Sequence, residues 1–248
     1  MSNEIEVLGT SIGFKVFRCL GLETEGKRHA FIEDAMAGEH RFMLEEEQPG
    51  FHDLDADGDC LSGAFSAVIA FEIEHLSNRI QTTSLLKRID TAYFLVVENT
   101  LFFYGNAGAA KSAICQLGDI VGATPAQLVF ESDQLRQFSE RASAVRSVSL
   151  SNPKSREIQK AKLTSQDIEN YEEYNVIDPA NHSLDAVCGL IESPAGPIFV
   201  TAGRRGLLRL KVKKGLILPA DCLLWVLHVV QGRDVKVGVN LTLFNVKR

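Results

Sequence analysis

The five cysteines, Cys19, Cys60, Cys115, Cys188 and Cys222, include no CxxC pair. Scattered and odd in number, they make neither a disulfide framework nor a cysteine-based zinc site, and they suit a reducing compartment. Long apolar runs are also missing. The longest near-apolar stretch, Cys222–Val230, falls far short of the roughly 20 residues that span a bilayer. The first residues, Met-Ser-Asn-Glu-Ile-Glu, lack the positive charge and apolar run of a signal peptide. A cytoplasmic chain with no membrane partner is expected. The six histidines form no HxH, HExxH or HxxxH pair, and no GxSxG elbow is present. With no complete catalytic motif, a protein that is not an enzyme is expected. What remains is ordinary globular composition: 248 residues, 45% hydrophobic and 23% charged. It excludes a disordered chain, a collagen-like fibre and a coiled coil, and leaves room for one large core or two small ones.

The net charge of −6 hides an asymmetry. Residues 1–80 carry 16 acidic and 6 basic residues; residues 81–248 carry 16 acidic and 20 basic. Such a division favours an electrostatic partner for the basic part and says nothing about fold.

The patterning predicts an α+β chain of antiparallel, strand-rich sheets with a few short helices. Ile5–Leu20 and His29–Glu47 read as extended, with an acidic loop at Asp53–Asp59 after the Pro49-Gly50 turn. Phe71–His75 alternates like a half-buried strand. Ala92–Val97 and Leu101–Tyr104 flank a hairpin turn at Glu98-Asn99-Thr100. Ala109–Val121 has helical spacing closed by Gly122, and a second helix is expected over Ser132–Ala144. Residues 147–165 read as a linker, and Thr164–Asp167 as a capping box opening a short helix to Tyr174. A β-meander follows over Asp185–Glu192, Ile198–Thr201 and Leu207–Val212. A helix is expected over Pro219–Val230 and a last strand over Val235–Leu243. The expected domains are 1–148, α+β with an acidic first third, a linker at 149–166, and a β-rich 167–248.

Four segments could carry chemistry. Gly105-Asn-Ala-Gly-Ala-Ala-Lys111-Ser112 nearly matches the phosphate-binding GxxxxGK[ST] loop, with Gly105, Lys111 and Ser112 in register. Ala110 stands where the second glycine belongs, and its Cβ crowds the backbone approach to phosphate. The segment reads either as a divergent site for ATP or GTP with Mg²⁺ or as a Gly-rich turn opening a helix. Asp53, Asp55 and Asp57, before Gly58, have the spacing of the front of a Ca²⁺ loop. Ala64 replaces the closing Glu, so a solvated acidic loop is the other reading, and no cofactor is the expectation. Asp178, His182, Asp185 and Cys188 lie near one another in sequence, in what also reads as a turn and a buried strand. Lastly, Leu208-Arg209-Leu210-Lys211-Val212-Lys213 alternates without a break, so Arg209, Lys211 and Lys213 should line one sheet face. Arg204, Arg205 and Lys214 flank them. Arg136–Lys162 adds Arg136, Arg141, Arg146, Lys154, Arg156, Lys160 and Lys162 against Glu140 and Glu157. Together these stretches hold 13 of the 26 basic residues. They read as a basic patch for a nucleic-acid backbone, with an edge-protecting or linker role as the alternative.

The order Ile89-Asp90-Thr91, Leu101–Tyr104, an Ala-rich segment with Lys111, a helix ending near Gly122, and Leu163-Thr164-Ser165 before a β-meander is similar to the RdgC family of recombination-associated DNA-binding ring proteins. The likeness spans about residues 85 to 215 and leaves the first 80 uncovered. It implies an oligomeric DNA-binding protein without enzymatic activity or sequence preference, and it assigns no site residues. The expectation is therefore a DNA-binding accessory subunit, a homo-oligomer or part of a larger complex, in DNA maintenance or defence. Divergent nucleotide binding and protein interaction are the alternatives.

Overall fold

The computed structural model describes residues 4–77, 80–151, 160–164 and 182–233. It has the α+β class expected from the patterning, dominated by antiparallel strands. The chain forms two units: Met1–Asn3 with Arg18–Ala126, and Glu4–Phe17 with Gln127–Arg248. The charge asymmetry follows them. The first holds 17 carboxylates against 8 Lys and Arg, or −9; the second holds 15 against 18, or +3. No helix among the described residues is long and apolar enough to cross a membrane.

In the first unit, helix α1 (Glu25–Met36) precedes four antiparallel strands, β3 (Gly50–Asp57), β4 (Cys60–Ser77), β5 (Ile80–Val97) and β6 (Thr100–Gly105), in that spatial order. Helix α2 (Ala107–Val121) follows. The core is a run of phenylalanines meeting mostly edge to face: Phe31 and Phe51 at 5.4 Å, Phe51 and Phe65 at 5.1 Å, Phe51 and Phe94 at 5.8 Å. These are favourable aromatic separations. The hairpin turn falls at Glu98-Asn99, and Gly122, at φ +69°, closes α2 in the left-handed conformation that glycine adopts without cost.

Two expectations here are corrected. His29–Glu47 is extended in the sequence reading, yet α1 occupies Glu25–Met36, opened by the Thr24 side chain accepting from the Lys27 amide. Its inward row is Arg28, Phe31 and Ala35, so an arginine stands where periodicity needs an apolar residue. Arg28 is 1% exposed. Its guanidinium donates to the Leu22 carbonyl at 2.9 Å and the Gly58 carbonyl at 2.7 Å, with Asp59 at 3.6 Å. The acidic loop at Asp53–Asp59 is, through Asp57, strand β3, paired with β4. Arg28 anchors the turn at Gly58, where φ is +55°.

The second unit has the antiparallel order β2 (Ser11–Arg18), β12 (Leu207–Lys211), β11 (Gly196–Gly203), β10 (Ser183–Ser193), β8 (Ala144–Ser151), β9 (Lys160–Thr164). Strands β1 (Glu4–Glu6) and β13 (Ile217–Pro219) pair separately, and β7 is only Ala126–Gln127. Helices α3 (Ser132–Arg141) and α4 (Ala220–Val230) take one face of the sheet. At Gly189 an added Cβ would stand 2.7 Å from the Ala142 Cβ and 3.5 Å from Phe138, so the helix end sits there only because the strand has no side chain. Helix α3 stops at Arg141, before the expected Ala144, and β8 starts at Ala144.

The expected linker is also corrected. Ser147–Ser151 pairs with Lys160–Thr164, so the Ser-rich, charged stretch supplies two strands of the second unit, and Thr164 ends β9. The chain divides at 17/18 and 126/127 and not at 149–166. The helix expected to Tyr174 and the strand expected over Val235–Leu243 lie outside the described residues.

Replacing Arg28 by leucine strips the buried Leu22 carbonyl and the part-buried Gly58 carbonyl of their donor. At roughly 1–3 kcal/mol for a buried group left unpaired, urea denaturation should show a loss of about 1–3 kcal/mol. A loss below about 0.5 kcal/mol would show that Arg28 does not hold the turn.

Candidate functional site

Strand β12 has the expected alternation. Leu208, Leu210 and Val212 are buried; Arg209, Lys211 and Lys213 are exposed. Directly paired residues share a face, so the register extends that face across the sheet. Arg209 stands between Gly13 and Thr201, Thr201 opposes Cys188, Cys188 opposes Ser147, and Ser147 opposes Thr164. The next row runs Ser11, Lys211, Phe199, Leu190. On the other side run Lys15, Leu207, Gly203, Ala186, Ser149, Lys162. Lys160 opposes Ser151.

Arg146 reaches this face through a β-bulge. The register shifts between Cys188 and Gly189, where β8 passes from Ser147 to Val145. The extra residue turns both Arg146 and Ser147 outward. The Arg146 guanidinium then lies 3.9 Å from the Phe199 ring centroid. A second irregularity, between Leu184 and Ala186, presents Asp185, whose carboxylate accepts from the Ser151 hydroxyl at 3.0 Å.

Lys15, Arg146, Lys160, Lys162, Arg209 and Lys211 therefore share one face, with Asp185 and Glu192 as its acids among the described residues. None of the six forms an ion pair among the described residues. Arg204 and Arg205 are exposed on the turn entering β12, beside Gly206 at φ +61°. A Cβ at Gly206 would stand 2.6 Å from the Leu128 carbonyl oxygen, so only glycine closes that turn. Lys213 and Lys214 are exposed beyond Val212. Lys154 and Arg156 lie outside the described residues. Unit charges about 7 Å apart repel by only about 0.6 kcal/mol in water. The fold tolerates such a face, and a polyanion gains from each cation it meets.

Lys15 and Phe199 were missed in the sequence reading. Both sit at the right parity of alternating segments, Ser11–Val16 and Ile198–Thr201, but only the pairing register puts them beside Arg209 and Lys211.

The other candidates fare differently. Helix α2 begins at Ala107, directly after Gly105-Asn106, so no loop wraps a phosphate. The Asn106 side chain accepts from the Gly108 amide at 2.8 Å and the Ala109 amide at 3.0 Å, occupying donors that a phosphate needs. Lys111 and Ser112 are exposed on the helix. Of the two readings of Gly105–Ser112, this geometry favours the Gly-rich turn opening a helix, with Lys111 exposed, over the divergent phosphate cradle. Asp53, Asp55 and Asp57 are strand residues, and Asp53, at φ +51°, accepts from or pairs with His52 at 2.8 Å. No cluster of three or more metal-binding side chains occurs among the described residues.

A hydroxyl–imidazole–carboxylate array also escaped the sequence reading: Ser66 Oγ to His52 Nε2 at 2.9 Å, and His52 Nδ1 to Asp53 at 2.8 Å. Ser66 also meets the Thr91 hydroxyl at 2.7 Å and is 2% exposed. A covered hydroxyl offers no approach to a substrate, so the array ties β3, β4 and β5 together.

No family model matches the sequence, and neither does any curated protein.

The thiols report on the openness of the face. Burial, helped by the Glu23 carboxylate, pushes Cys19 up to about 12, and burial also raises Cys222. Cys115 is exposed, and Cys188 is half-buried at the centre of the face. With a maleimide at pH 8, Cys115 should react first and Cys188 next, while Cys19 and Cys222 wait for unfolding. Labelling of Cys188 as slow as that of Cys19 would show that the face is covered.

Proposed function

We propose that the chain binds a nucleic-acid backbone, DNA in the first instance, through the outer face of the second unit's sheet. It acts as an accessory protein that is not an enzyme, in DNA maintenance or defence. The observation that carries this reading is the set of six cations drawn from four strands and opposed, among the described residues, by two carboxylates. Ser11, Ser147, Ser149 and Thr201 between them can donate to phosphate oxygens. A backbone contact of this kind reads no sequence, in keeping with the similarity to the RdgC family.

Each neutralised phosphate releases counterions, so affinity should fall steeply with salt. Fluorescence anisotropy with a short DNA should show binding that weakens by at least about tenfold between 50 and 200 mM salt. The Arg209→Glu, Lys211→Glu double variant should lose it. A salt slope near zero, or full binding by the variant, would overturn the proposal.

A second reading, association with another copy, is favoured by the β4–β5 hairpin. It pairs from Cys60–Val97 out to Ser77–Ile80, but β3 and β6 accompany it only as far as Ser66 and Ala92. A two-stranded arm is marginal in water, and this one exposes Ile69, Phe71, Leu85 (61%), Leu86 and Ile89 (49%). Leu85 and Ile89 share one face of the arm with Glu72, Glu74 and Lys87, whereas Arg88 lies on the opposite face with Ile69, Phe71 and Leu86. A second arm turned face to face sets Glu72 and Glu74 near the partner's Lys87, in exchange for Glu47, around Leu85 and Ile89. Light scattering should show a dimer that survives 1 M salt, and the Leu85→Lys, Ile89→Lys variant should be monomeric. A wild-type monomer at all concentrations would dismiss this reading.

A further inference from the structure

We infer that the ligand of the basic face is single-stranded and that one base stacks on Phe199. This rests on the backbone-binding proposal above and narrows it to one form of nucleic acid.

Three observations point there. The first is width. Six strands at about 4.8 Å spacing make a surface about 24 Å across. The B-form major groove, about 12 Å wide, admits a helix or a two-stranded ribbon. The face can lie along a backbone but cannot enter a groove.

The second is Phe199. Among the described residues it is the one aromatic side chain in the three rows named above, half-buried and directly opposite Lys211. A duplex keeps its bases inside the helix, whereas a single strand can turn one out onto a ring. The outward residues around Phe199 carry no second aromatic ring: Pro197 and Thr201 on its own strand, Leu190 and Lys211 opposite, and Cys188, Glu192 and Arg209 diagonally. Its rim is not walled by other aromatic rings.

The third is Arg146. Its guanidinium occupies, at 3.9 Å, the position over the ring that a base would take. An exposed cation–π contact is weaker than the stacking of a base on an aromatic ring. A base therefore displaces Arg146, and the released guanidinium, still on the same face, is free to pair with the neighbouring phosphate. Arg209 and Lys211, about 7 Å apart along β12, hold the flanking phosphates.

The test uses the full chain with 12-nucleotide oligo-dT, oligo-rU and a 12-base-pair DNA duplex, by anisotropy at two salt concentrations. Phe199→Leu keeps an apolar side chain and removes the ring. It should weaken both single strands by about 5- to 150-fold, the range for losing one stacked base, with an unchanged salt slope. Duplex binding, carried by cations alone, should not change. Comparing dT with rU tells whether the sugar matters, and a preference for either agrees with the inference. Because Phe199 is half-buried, a measurement on the wild type stands beside the variant. An oligomer carrying 5-iodouracil, irradiated in the complex, should crosslink to Phe199. Single-strand affinity unchanged in a folded Phe199→Leu variant, tighter binding of duplex, or crosslinks only elsewhere would overturn the stacking inference. In each of those cases a salt-dependent loss in the Arg209→Glu, Lys211→Glu variant would leave the basic-face proposal standing. No binding of any of the three probes by the wild type would remove both.

Discussion

The second unit depends on one constraint, the period of two in a sheet whose described helices, α3 and α4, pack on one side. Gly189 lets the end of α3 approach β10 so closely that a single added carbon would clash. That contact decides which parity is core. Val148, Val187, Val200, Leu208 and Leu210 are then inward and buried, and their neighbours along each strand face outward. A strand rising about 3.3 Å per residue sets the outward side chains about 7 Å apart. The spacing of the cations is thus a by-product of core packing. Their presence is not, since serine or threonine would hold those positions without mutual repulsion.

The two bulges modify that rule where it matters most. Strict alternation through β8 leaves room for either Arg146 or Ser147 on the outward side. The shift at Cys188/Gly189 turns both out and lays the arginine on Phe199. The shift at Leu184/Ala186 does the same for Asp185, but its carboxylate is met by Ser151. One bulge adds a cation that is free to exchange partners. The other adds an acid that is already engaged.

What was legible in the sequence was local. The Glu98-Asn99 turn, the close of α2 at Gly122 and the alternation of β12 each depend on a few adjacent residues. Helix α1 was hidden because Arg28 takes an inward position and is paid for by carbonyls 6 and 30 residues away. Strand β3 was hidden because its aspartates resemble a loop, while its pairing depends on Phe51 and Phe65, 14 residues apart in sequence. The basic face was half legible. Arg209 and Lys211 share a strand, but Lys15 is nearly 200 residues away and joins them only through the β2–β12 register. A non-local register leaves no trace in a single sequence window.

An acidic chain is an unusual candidate for a polyanion's partner, and the resolution lies in length scales. The net charge of −6 is a sum over 248 residues. At physiological ionic strength a bound strand senses charge within about 8 Å, a third of the sheet's estimated width. Inside that radius around Arg209 it meets Lys211 and Lys15 before any carboxylate of the outward rows. At low salt the screening length grows to about 30 Å at 0.01 M, and the carboxylates of the whole chain oppose the approach. Attraction at the face and repulsion from the rest therefore scale differently with salt. The chain's acidity reduces capture at a distance while leaving contact affinity to the six cations.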